Sequence, residues 1–363
     1  MSKRNFNLVL FISVIIISLF GIIMIYSSSA IWAEYKFNNP YKYVINQSIF
    51  FLIGLVLMYL LSKFDYNHFY NKSNIIIIVC LILLVLVLIP GIGSVRNGSR
   101  SWFGIGSFGL QPSEATKLGL IIFTAKYLAR NQKEMRNIKK GVFPILGLTL
   151  LVFGLIMLQP DFGTGVIIVM SIVGLLFIGG VSFKFFLKIG LLGLIGIVIL
   201  ILIAPYRLKR ILSFLNPWED PLGSGFQIIQ SLYAIGPSGL FGMGFGNSIQ
   251  KHFYLPEPQT DFIFAIISEE FGILGIIIVV TLFLTIIING FKIAYYCNDL
   301  FGKFLAFGLT FQIAFQALLN LMVVVGLIPV TGVTLPFLSY GGSSLLITMA
   351  SMGILLNISR YNR

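Results

Sequence analysis

Four of the chain's acidic residues lie in one short stretch, YLPEPQTDFIFAIISEEFG, which covers positions 254–272. The whole chain has only 12 acidic residues among 363, so this local density is unusual. Asp261 in particular could act as a general base, because a carboxylate can take a proton from a hydroxyl nucleophile. The spacing alone favours a simpler role, since a carboxylate at the predicted start of a helix stabilises the helix dipole.

Glu269 and Glu270 follow Asp261 by about two turns of the same predicted helix. Adjacent residues are about 100° apart around a helix, so these two side chains are expected to face different directions. An unpaired carboxylate in an apolar segment is costly. We therefore predict that at least one of them pairs with a base or accepts backbone hydrogen bonds, as part of helix packing or a polar network.

Two further motifs place carboxylates at predicted helix starts. In QPSEATK, Pro112 suits the first helical turn, and Glu114 and Lys117 have the i, i+3 spacing of an ion pair. That pair could be structural or catalytic, and its spacing does not decide between the two. In QPDFGTG, Asp161 is predicted to cap the following helix within a tight hairpin, and this structural role is favoured.

Three loop segments are rich in glycine and proline. In GLIPVTGVTLPFLSYGGSS, positions 326–344, Ser339 and Tyr340 could offer hydroxyls to a sugar, although a structural loop is the favoured interpretation. NPWEDPLGSGFQ is typical of turns. GPSGLFGMGFG could cradle a phosphate, but it neither follows a strand nor matches a P-loop, so tight turns are predicted there.

The elements that must position these residues are membrane helices. Hydrophobic residues make up 57% of the chain and charged residues 10%, and the mean hydropathy is +0.97. A soluble domain carries roughly 25% charged residues, so the bilayer is the predicted solvent. Apolar runs close to the ~20 residues that cross a bilayer predict an all-α integral membrane fold with ten transmembrane helices, at 8–26, 44–61, 75–90, 111–129, 142–158, 163–180, 185–204, 261–288, 304–325 and 341–358.

The connection between spans 7 and 8, positions 205–260, is predicted to be a large structured loop of a single membrane domain, 1–363. Lysine and arginine are twice as numerous on the side that holds both termini. The positive-inside rule therefore places both termini in the cytoplasm and the loop outside. The loop opens with YRLKRILSFLN, an amphipathic pattern whose basic face carries Arg207, Lys209 and Arg210.

The net charge of +13 is attributed to cytoplasmic loops and to contact with membrane lipids, not to nucleic-acid binding. The two cysteines and two histidines fit no disulfide framework and no metal-ligand spacing. On the predicted outer side, several cations accompany Asp261 and Glu257, namely Arg96, Arg100, Arg207, Lys209, Arg210 and Lys251. Because such cations bind phosphate well, an anionic lipid-linked substrate is indicated.

Four sequence blocks, taken in order, resemble the SEDS family of polytopic membrane proteins, in which FtsW, RodA and SpoVE are found. They are VRNGSRSWFGIGSFGLQPSEATKL, QPDFGTG, NPWEDPLGSGFQIIQSLYAIGPSGLFGMGFGNSIQKHFYLPEPQTDFIFAIISEEFG and GLIPVTGVTLPFLSYGGSS. The resemblance covers essentially the whole chain, and NGSRSW, YLPEPQTDFIFAI and LLNISRYNR look closest to the SpoVE-like members of the FtsW branch. It implies a peptidoglycan glycosyltransferase that polymerises lipid II on the outer face of the bacterial cytoplasmic membrane, in spore cortex or division septum synthesis.

The resemblance also implies roles for individual residues. It makes Asp261 the catalytic carboxylate, makes Glu114 and Lys117 functionally important, and assigns one loop motif to Trp218, Asp220, Pro221, Gly223 and Gly225. A class B penicillin-binding protein, which is a transpeptidase, is the implied partner. One departure is Asn46, which stands where family members often carry a basic residue. Either another cation replaces that contact or the contact is dispensable.

The residues and the resemblance together predict a single displacement. The 4-hydroxyl of a GlcNAc attacks C1 of a MurNAc, undecaprenyl pyrophosphate leaves, and the anomeric centre inverts, with Asp261 as the base. A divalent cation, Mg²⁺ or Mn²⁺, could share the neutralisation of the pyrophosphate, but no resident cofactor or metal site is predicted. The substrate-contact candidates are Arg100, Glu114, Lys117, Arg207, Lys209, Arg210, Trp218, Asp220 and Glu257.

Two other classes of function are consistent with ten spans. A lipid II flippase would place polar groups near the bilayer midplane, often on broken helices. A scaffold would only recruit the transpeptidase. The polar motifs cluster instead at the predicted outer ends of the spans, which favours an enzyme.

Overall fold

The computed structural model describes residues 6–96, 98–104, 109–203, 205–223 and 225–361; at 136, 197, 200–203, 205–207, 209 and 210 it describes the backbone only. The described chain is mostly α-helical. Twelve α-helices are formed there: α1 Leu8–Phe37, α2 Lys42–Lys63, α3 Asn67–Leu86, α4 Pro112–Arg130, α5 Phe143–Met157, α6 Phe162–Ile178, α7 Phe183–Ile203, α8 Pro205–Leu215, α9 Phe226–Ile235, α10 Ile263–Tyr296, α11 Leu300–Val324 and α12 Gly342–Ser359.

Shorter elements lie between these helices. An antiparallel hairpin of β1, Ser94–Arg96, and β2, Ser99–Trp102, precedes α4. A 3-10 turn at Gln132–Arg136 and a π-helical turn at Ile138–Val142 connect α4 to α5, and a second 3-10 turn at Pro217–Glu219 follows α8. The predicted amphipathic segment is therefore helical, as α8.

Each of the ten predicted spans coincides with an α-helix. Within the described residues, seven helices are long and apolar enough to cross a membrane: α1, α2, α3, α5 together with its preceding π-helical turn, α10, α11 and α12. The ends differ from the prediction, because helices continue beyond their apolar runs. α1 extends to Phe37 and α10 to Tyr296, whereas the predicted runs stop at 26 and 288.

The bundle is built around its last two helices. α2 packs along α12, α10 along α11, and α3 along α4, while α11 also contacts α4 and α6. α12 is the most enclosed of the candidate spans, with 78% of its most apolar 18-residue stretch buried, against 22% for α3. The inner helices can therefore carry polar side chains that pair within the protein, as membrane-buried polar groups must.

The α10 helix is interrupted at Gly272, whose φ of 61° and ψ of −151° are not helical. The break leaves two backbone carbonyls and two N–H groups without helical partners, and a loop supplies all four. Met243 and Gly244 donate their N–H groups to the carbonyls of Glu269 and Glu270, while the N–H groups of residues 273 and 274 donate to the carbonyls of residues 239 and 240. Backbone groups in a membrane protein must find such internal partners.

The glycine-rich segment GPSGLFGMGFG packs into the break in α10, and this close contact requires glycine on both sides. A Cβ built on Gly272 would lie 2.5 Å from the backbone nitrogen of Gly242, and a Cβ on Gly242 would collide with the backbone of Glu270. Both glycines also have positive φ, which L-residues avoid. The prediction of turns was right locally, but the segment's principal contact is with the interrupted helix.

Candidate active site

One large cavity, with a volume of about 1340 Å³, opens at one end of the bundle, called here the cavity end. It forms where the α1–α2 connection, the β1–β2 hairpin and the starts of α4 and α6 meet the turn before α10 and the segment before α12. These segments are the ones predicted to lie on a single side of the membrane. Of the predicted site residues, it brings together Asp261, Glu257, Glu114, Lys117, Asp161 and Tyr340.

Asp261 lies in the turn before α10 and not on its opening turn, since the helix begins at Ile263. Asp261 therefore does not occupy the N-cap position of this helix, which is Phe262, without a side-chain cap. The Thr260 hydroxyl lies 3.0 Å from Asp261 Oδ1. Asn320 donates through Nδ2 to the carbonyl oxygens of Asp261 and Val333, each at 2.7 Å, and so holds the main chain of the turn against α11 and the segment before α12.

Glu257 lines the same cavity, four residues before Asp261. Its turn is closed by the Thr260 N–H, which donates to the Glu257 carbonyl at 3.0 Å. The Tyr340 N–H donates to the carbonyl of Gln259 at 2.8 Å, which fastens this turn to the start of α12. Two carboxylates therefore border the cavity on a turn that backbone and side-chain donors hold in place.

Glu114 and Lys117 form the predicted ion pair, with 2.9 Å between Lys117 Nζ and Glu114 Oε2. Lys117 Nζ also donates to Gln316 Oε1 at 2.9 Å, and Gln316 Nε2 donates to the carbonyl of Thr334 at 3.0 Å. The two charged side chains are almost fully buried, yet both border the cavity. A pair with this burial ties α4 to α11 and places a charge-compensated network at the cavity wall.

Asp161 caps α6 as predicted, because its Oδ1 accepts the N–H of Thr164 at 3.1 Å. Its Oδ2 accepts from Gln111 Nε2 at 3.1 Å, which joins the starts of α4 and α6. Burial at the cavity floor raises the pKa of Asp161 above its ordinary value, against the opposing effect of the Thr164 hydrogen bonds. The side chain is thus both a helix cap and a polar part of the cavity wall.

The cations that line the cavity are only partly the predicted ones. Lys36, Lys42 and Arg96 border it, and the Arg96 guanidinium stacks on Trp102 at 4.8 Å from the ring centroid. Arg100, on β2, is not among the described lining residues. The side chains of Arg207, Lys209 and Arg210 lie outside the described part of the chain, so their predicted contact with pyrophosphate stays a prediction.

Lys251 was predicted to belong to the cationic face, and this prediction is wrong. Its ammonium is buried and contacts Glu270 Oε1 at 3.0 Å and Ser27 Oγ at 3.3 Å. The burial of Glu270 in α10 explains this position, because a buried carboxylate needs a compensating cation. Lys251 therefore joins the connection between α9 and α10 to α1 and α10, and it is not among the described cavity-lining residues.

The prediction for Glu269 and Glu270 is confirmed, because Glu269 accepts backbone hydrogen bonds and Glu270 pairs with a base. Glu269 accepts from the N–H groups of Ile249, at 2.9 Å, and Gln250, at 3.4 Å, and from the Ser248 hydroxyl. Glu270 Oε1 accepts from Ser27 Oγ at 2.6 Å and from Lys251. The segment 248–251 crosses the side of α10, so two diverging side chains meet it at different points. We call this arrangement the loop clamp.

Trp218 and Asp220 lie on the turn-rich part of the loop and are not among the described cavity-lining residues. Trp218 is exposed and packs edge-on against Tyr233 at 5.8 Å. The carbonyl of Asp220 accepts the N–H of Gly225 at 3.1 Å, which closes the turn. Their predicted role in binding substrate stays a prediction.

The side chains of Ser339 and Tyr340 lie in different surroundings, and only Tyr340 lines the cavity. The buried Ser339 hydroxyl accepts the N–H of Leu335 at 2.8 Å, so it stabilises its own loop. Tyr340 lines the cavity and packs edge-on against Tyr43 at 4.8 Å. Burial raises the pKa of the Tyr340 hydroxyl above its ordinary value, against the opposing effect of the neighbouring Asn46 side chain.

Asn46 is the residue that stands where the family pattern often has a basic residue. Lys42, one helical turn earlier on α2, borders the cavity. Residues four apart share one face of a helix. A cation is therefore present at this wall of the cavity, and its replacement of the family's usual basic residue stays a prediction.

The sequence interpretation missed a polar stripe on α11. Gln312, Gln316 and Asn320 are buried and recur every fourth residue, so they share one face of the helix. Two of them hold Lys117 and the main chain of Asp261. Three amides at this spacing in an apolar helix were a detectable signal, because a buried polar group needs a specific partner.

Within the described residues, no group of three or more His, Cys, Asp or Glu side chains could hold a metal ion. A divalent cation would therefore need ligands from a bound substrate in addition to the cavity carboxylates. The site as described is a turn-borne carboxylate pair, a buried ion-pair network and a set of cations around one cavity at the end of a membrane helix bundle.

These features define a polytopic helical membrane protein with a polar, charge-bearing cavity at one end of the bundle. The chain belongs to the FtsW/RodA/SpoVE family, described as cell cycle protein, whose family model matches residues 7–363. It is 52% identical over 361 residues to stage V sporulation protein E of Bacillus subtilis (strain 168), and the match covers 99% of both chains.

Two further similarities concern activity and fold. The chain is 42% identical to the probable peptidoglycan glycosyltransferase FtsW of Trichlorobacter lovleyi, over 98% of this chain and 93% of that relative. It also matches a chain in a solved structure that describes the coordination of polymerization and crosslinking by a peptidoglycan synthase complex, with a TM-score of 0.80 and 31% identity over 98% of both chains. The predicted family is thereby confirmed.

Proposed function

We propose that this chain is a peptidoglycan glycosyltransferase that polymerises lipid II. The observation that carries the proposal is the position of Asp261, on a fixed turn at a cavity that also presents Lys36, Lys42 and Arg96. A carboxylate and several cations in one cavity suit a reaction that removes a hydroxyl proton and releases a pyrophosphate. The FtsW relative is named a probable peptidoglycan glycosyltransferase, which supports the same activity.

In the proposed reaction, the 4-hydroxyl of a GlcNAc is the nucleophile. Asp261 takes its proton as the bond from that oxygen to C1 of the MurNAc forms. The bond from C1 to the phosphate oxygen breaks, and undecaprenyl pyrophosphate leaves with the electron pair, so the configuration at C1 inverts. An activated pyrophosphate needs charge neutralisation more than protonation, which is why one catalytic carboxylate can suffice where glycosidases use two.

The cavity is proposed to open on the outer face of the cytoplasmic membrane, with ten crossings and both termini inside. The excess of lysine and arginine in the segments away from the cavity end supports this orientation. A divalent cation, Mg²⁺ or Mn²⁺, is proposed to share the neutralisation of the pyrophosphate, held mainly by the substrate phosphates themselves. Chelation should then lower the rate while leaving the thermal stability of the protein unchanged.

A class B penicillin-binding protein is the proposed partner, and spore cortex synthesis is the proposed setting. The similarity to a chain of a peptidoglycan synthase complex supports the first, and the greater identity with the stage V sporulation protein than with the FtsW relative supports the second. Septum synthesis would instead be indicated if loss of the protein blocked division in vegetative cells.

The test uses purified protein in detergent with lipid II as the only substrate. The parent protein should produce glycan strands on a gel, and Asp261→Asn should not, although its thermal unfolding is unchanged. If the parent is inactive alone, the assay is repeated with a penicillin-binding protein whose transpeptidase serine is replaced. Equal rates for the parent and Asp261→Asn would reject Asp261 as the base. No glycan from either assay, together with lipid II transport in vesicles, would favour a flippase, and no activity in any assay would favour a scaffold.

A further inference from the structure

Three aromatic side chains form a cluster beside the cavity, called here the aromatic platform: the half-buried Trp32 and the exposed Tyr35 on α1, and the exposed Phe253 on the predicted outer loop. The ring centroids of Phe253 lie 5.5 Å from Trp32 and 5.4 Å from Tyr35. Tyr35 is 78% exposed and Phe253 is 50% exposed. Large aromatic faces left open in this way usually mark a binding surface.

The aromatic platform lies farther from the bilayer centre than the aromatic residues that anchor helices at the membrane–water interface. The apolar run of α1 from Leu8 to Tyr26 already covers about 29 Å at 1.5 Å per residue, which matches the ~30 Å hydrocarbon core. Tyr35 is nine residues further along the same helix, so it stands about 14 Å beyond the end of that run. The headgroup region adds only about 5–8 Å on each side. Tyr35 therefore projects into water above the lipid.

Phe253 is held in the platform against its backbone preference. Its φ of 67° lies in the left-handed region, which is unfavourable for a bulky residue. The loop clamp fixes the preceding residues, since Lys251 pairs with Glu270 and contacts Ser27 of α1. An aromatic side chain kept exposed on such a backbone is consistent with a functional contact.

The platform continues directly into the cavity. Lys36 borders the cavity and lies 5.7 Å from the centroid of the Trp32 ring. Tyr43 also lines the cavity and packs edge-on against Tyr340. A chain-like molecule that leaves the cavity along this wall would meet Lys36 and Tyr43 first and the exposed faces of Tyr35 and Phe253 next.

We propose that the aromatic platform binds the glycan strand that extends from the cavity and retains it between additions. This inference rests on the proposed function. Pyranose rings have apolar C–H faces that stack on aromatic rings, whereas their edges carry hydroxyls that need polar partners. The platform supplies both, since Tyr35 and Lys36 offer polar groups at the rim of the aromatic faces. Lys36 additionally suits the carboxylates of stem peptides on the strand.

The test compares Tyr35→Ala with Tyr35→Phe and with Tyr295→Ala in strand synthesis from lipid II. Tyr295 is 75% exposed and lies at the opposite end of the bundle, so it is a matched control for loss of an exposed tyrosine. Tyr35→Ala should shorten the mean strand by about three- to tenfold, the range expected from losing one aromatic stacking partner. The initial rate of lipid II consumption should stay close to that of the parent. Tyr295→Ala should give strands of parental length, and Tyr35→Phe should give strands of a length between those of the parent and Tyr35→Ala, because it keeps the ring and loses the hydroxyl.

A binding arm makes the result independent of catalysis. The Asp261→Asn variant is titrated with soluble uncrosslinked glycan strands, with and without Tyr35→Ala, and with Phe253→Gly as a second platform change that the positive φ tolerates. The platform changes should each weaken binding by about three- to tenfold.

The outcomes separate this inference from the proposed function. If the parent makes strands and both platform variants match it in strand length and in binding, the platform inference is wrong and the activity stands. If the variants lose only co-purification with a penicillin-binding protein, the surface is a protein-docking site and the glycan inference is overturned. A parent that makes no strands, either alone or with the penicillin-binding protein, rejects the proposed function, whereas strand binding in the titration still decides the platform inference.

Discussion

Two pairs of acidic residues lie on either side of the first turn of α10, and their surroundings give them opposite roles. Glu257 and Asp261 border the cavity on a turn, where a bound substrate can reach them. Glu269 and Glu270 are buried, and each accepts several hydrogen bonds from the loop segment 248–251 or from Ser27. The role of an acidic residue in an apolar stretch therefore depends on the hydrogen-bond donors around it and not on its distance from a neighbouring acidic residue.

The largest effect should come from neutralising one carboxylate of each pair. Asp261→Asn should lower turnover by about 10²- to 10⁴-fold, which is the usual contribution of a general base, with no change in thermal unfolding. Glu269→Gln should do the reverse and destabilise the protein by about 1–3 kcal/mol, because the amide presents a donor to the loop N–H groups. Glycan synthesis and unfolding in detergent, measured on both variants, provide the comparison. Similar unfolding losses for both would remove the distinction between cavity and clamp.

The buried pair of the loop clamp should be the most sensitive structural point. Lys251→Met leaves the Glu270 carboxylate buried without its cation, and removal of one partner from a buried pair costs about 3–5 kcal/mol. The double variant Lys251→Met with Glu270→Leu should recover most of that stability, because an apolar pair needs no compensation. A double-mutant cycle on unfolding free energy measures this coupling. Additive losses would mean that the pair does not stabilise the clamp.

The break in α10 should respond less strongly. Gly272→Ala forces a side chain into a positive φ, which costs about 1–3 kcal/mol, and directs its Cβ at the backbone of Gly242. Gly154→Ala in α5 is the matched control, because a Cβ there meets no atom within 4 Å and alanine favours helix. The thermal unfolding of Gly272→Ala should fall while that of Gly154→Ala is maintained. Equal behaviour would indicate that the α10 break tolerates a side chain.

Local patterns predicted the features that depend on nearby residues. The Glu114–Lys117 pair, the Asp161 cap and Pro112 at the first turn of α4 are confirmed, since each follows from spacing along one helix. The family was also confirmed by its sequence blocks. The catalytic role of Asp261 stays a prediction that the structure accommodates, because its position depends on Asn320 and on the turn, not on helix capping.

Tertiary contacts could not be predicted in the same way. Gly272 is one of 37 glycines, and nothing in its immediate neighbours marks it as the point where a loop 30 residues earlier enters the helix. Lys251 carried the same formal charge as the cavity cations, and only the fold separates it from them. The amides of α11 were the exception, because their four-residue spacing in an apolar helix was visible without a structure.

The smallest expected effect concerns Asp161, a carboxylate of the cavity wall. Burial raises its pKa in the folded state, so the folded protein favours the protonated form relative to the unfolded chain. This group's contribution to stability is fully present below the ordinary pKa of about 3.9 and is lost as pH rises through the raised value. Asp161→Asn keeps the acceptor for Thr164 and removes the titration, so the difference in unfolding temperature between parent and variant should change across that pH range. An unfolding difference between parent and Asp161→Asn that is flat with pH would place the charge of Asp161 in contact with solvent instead.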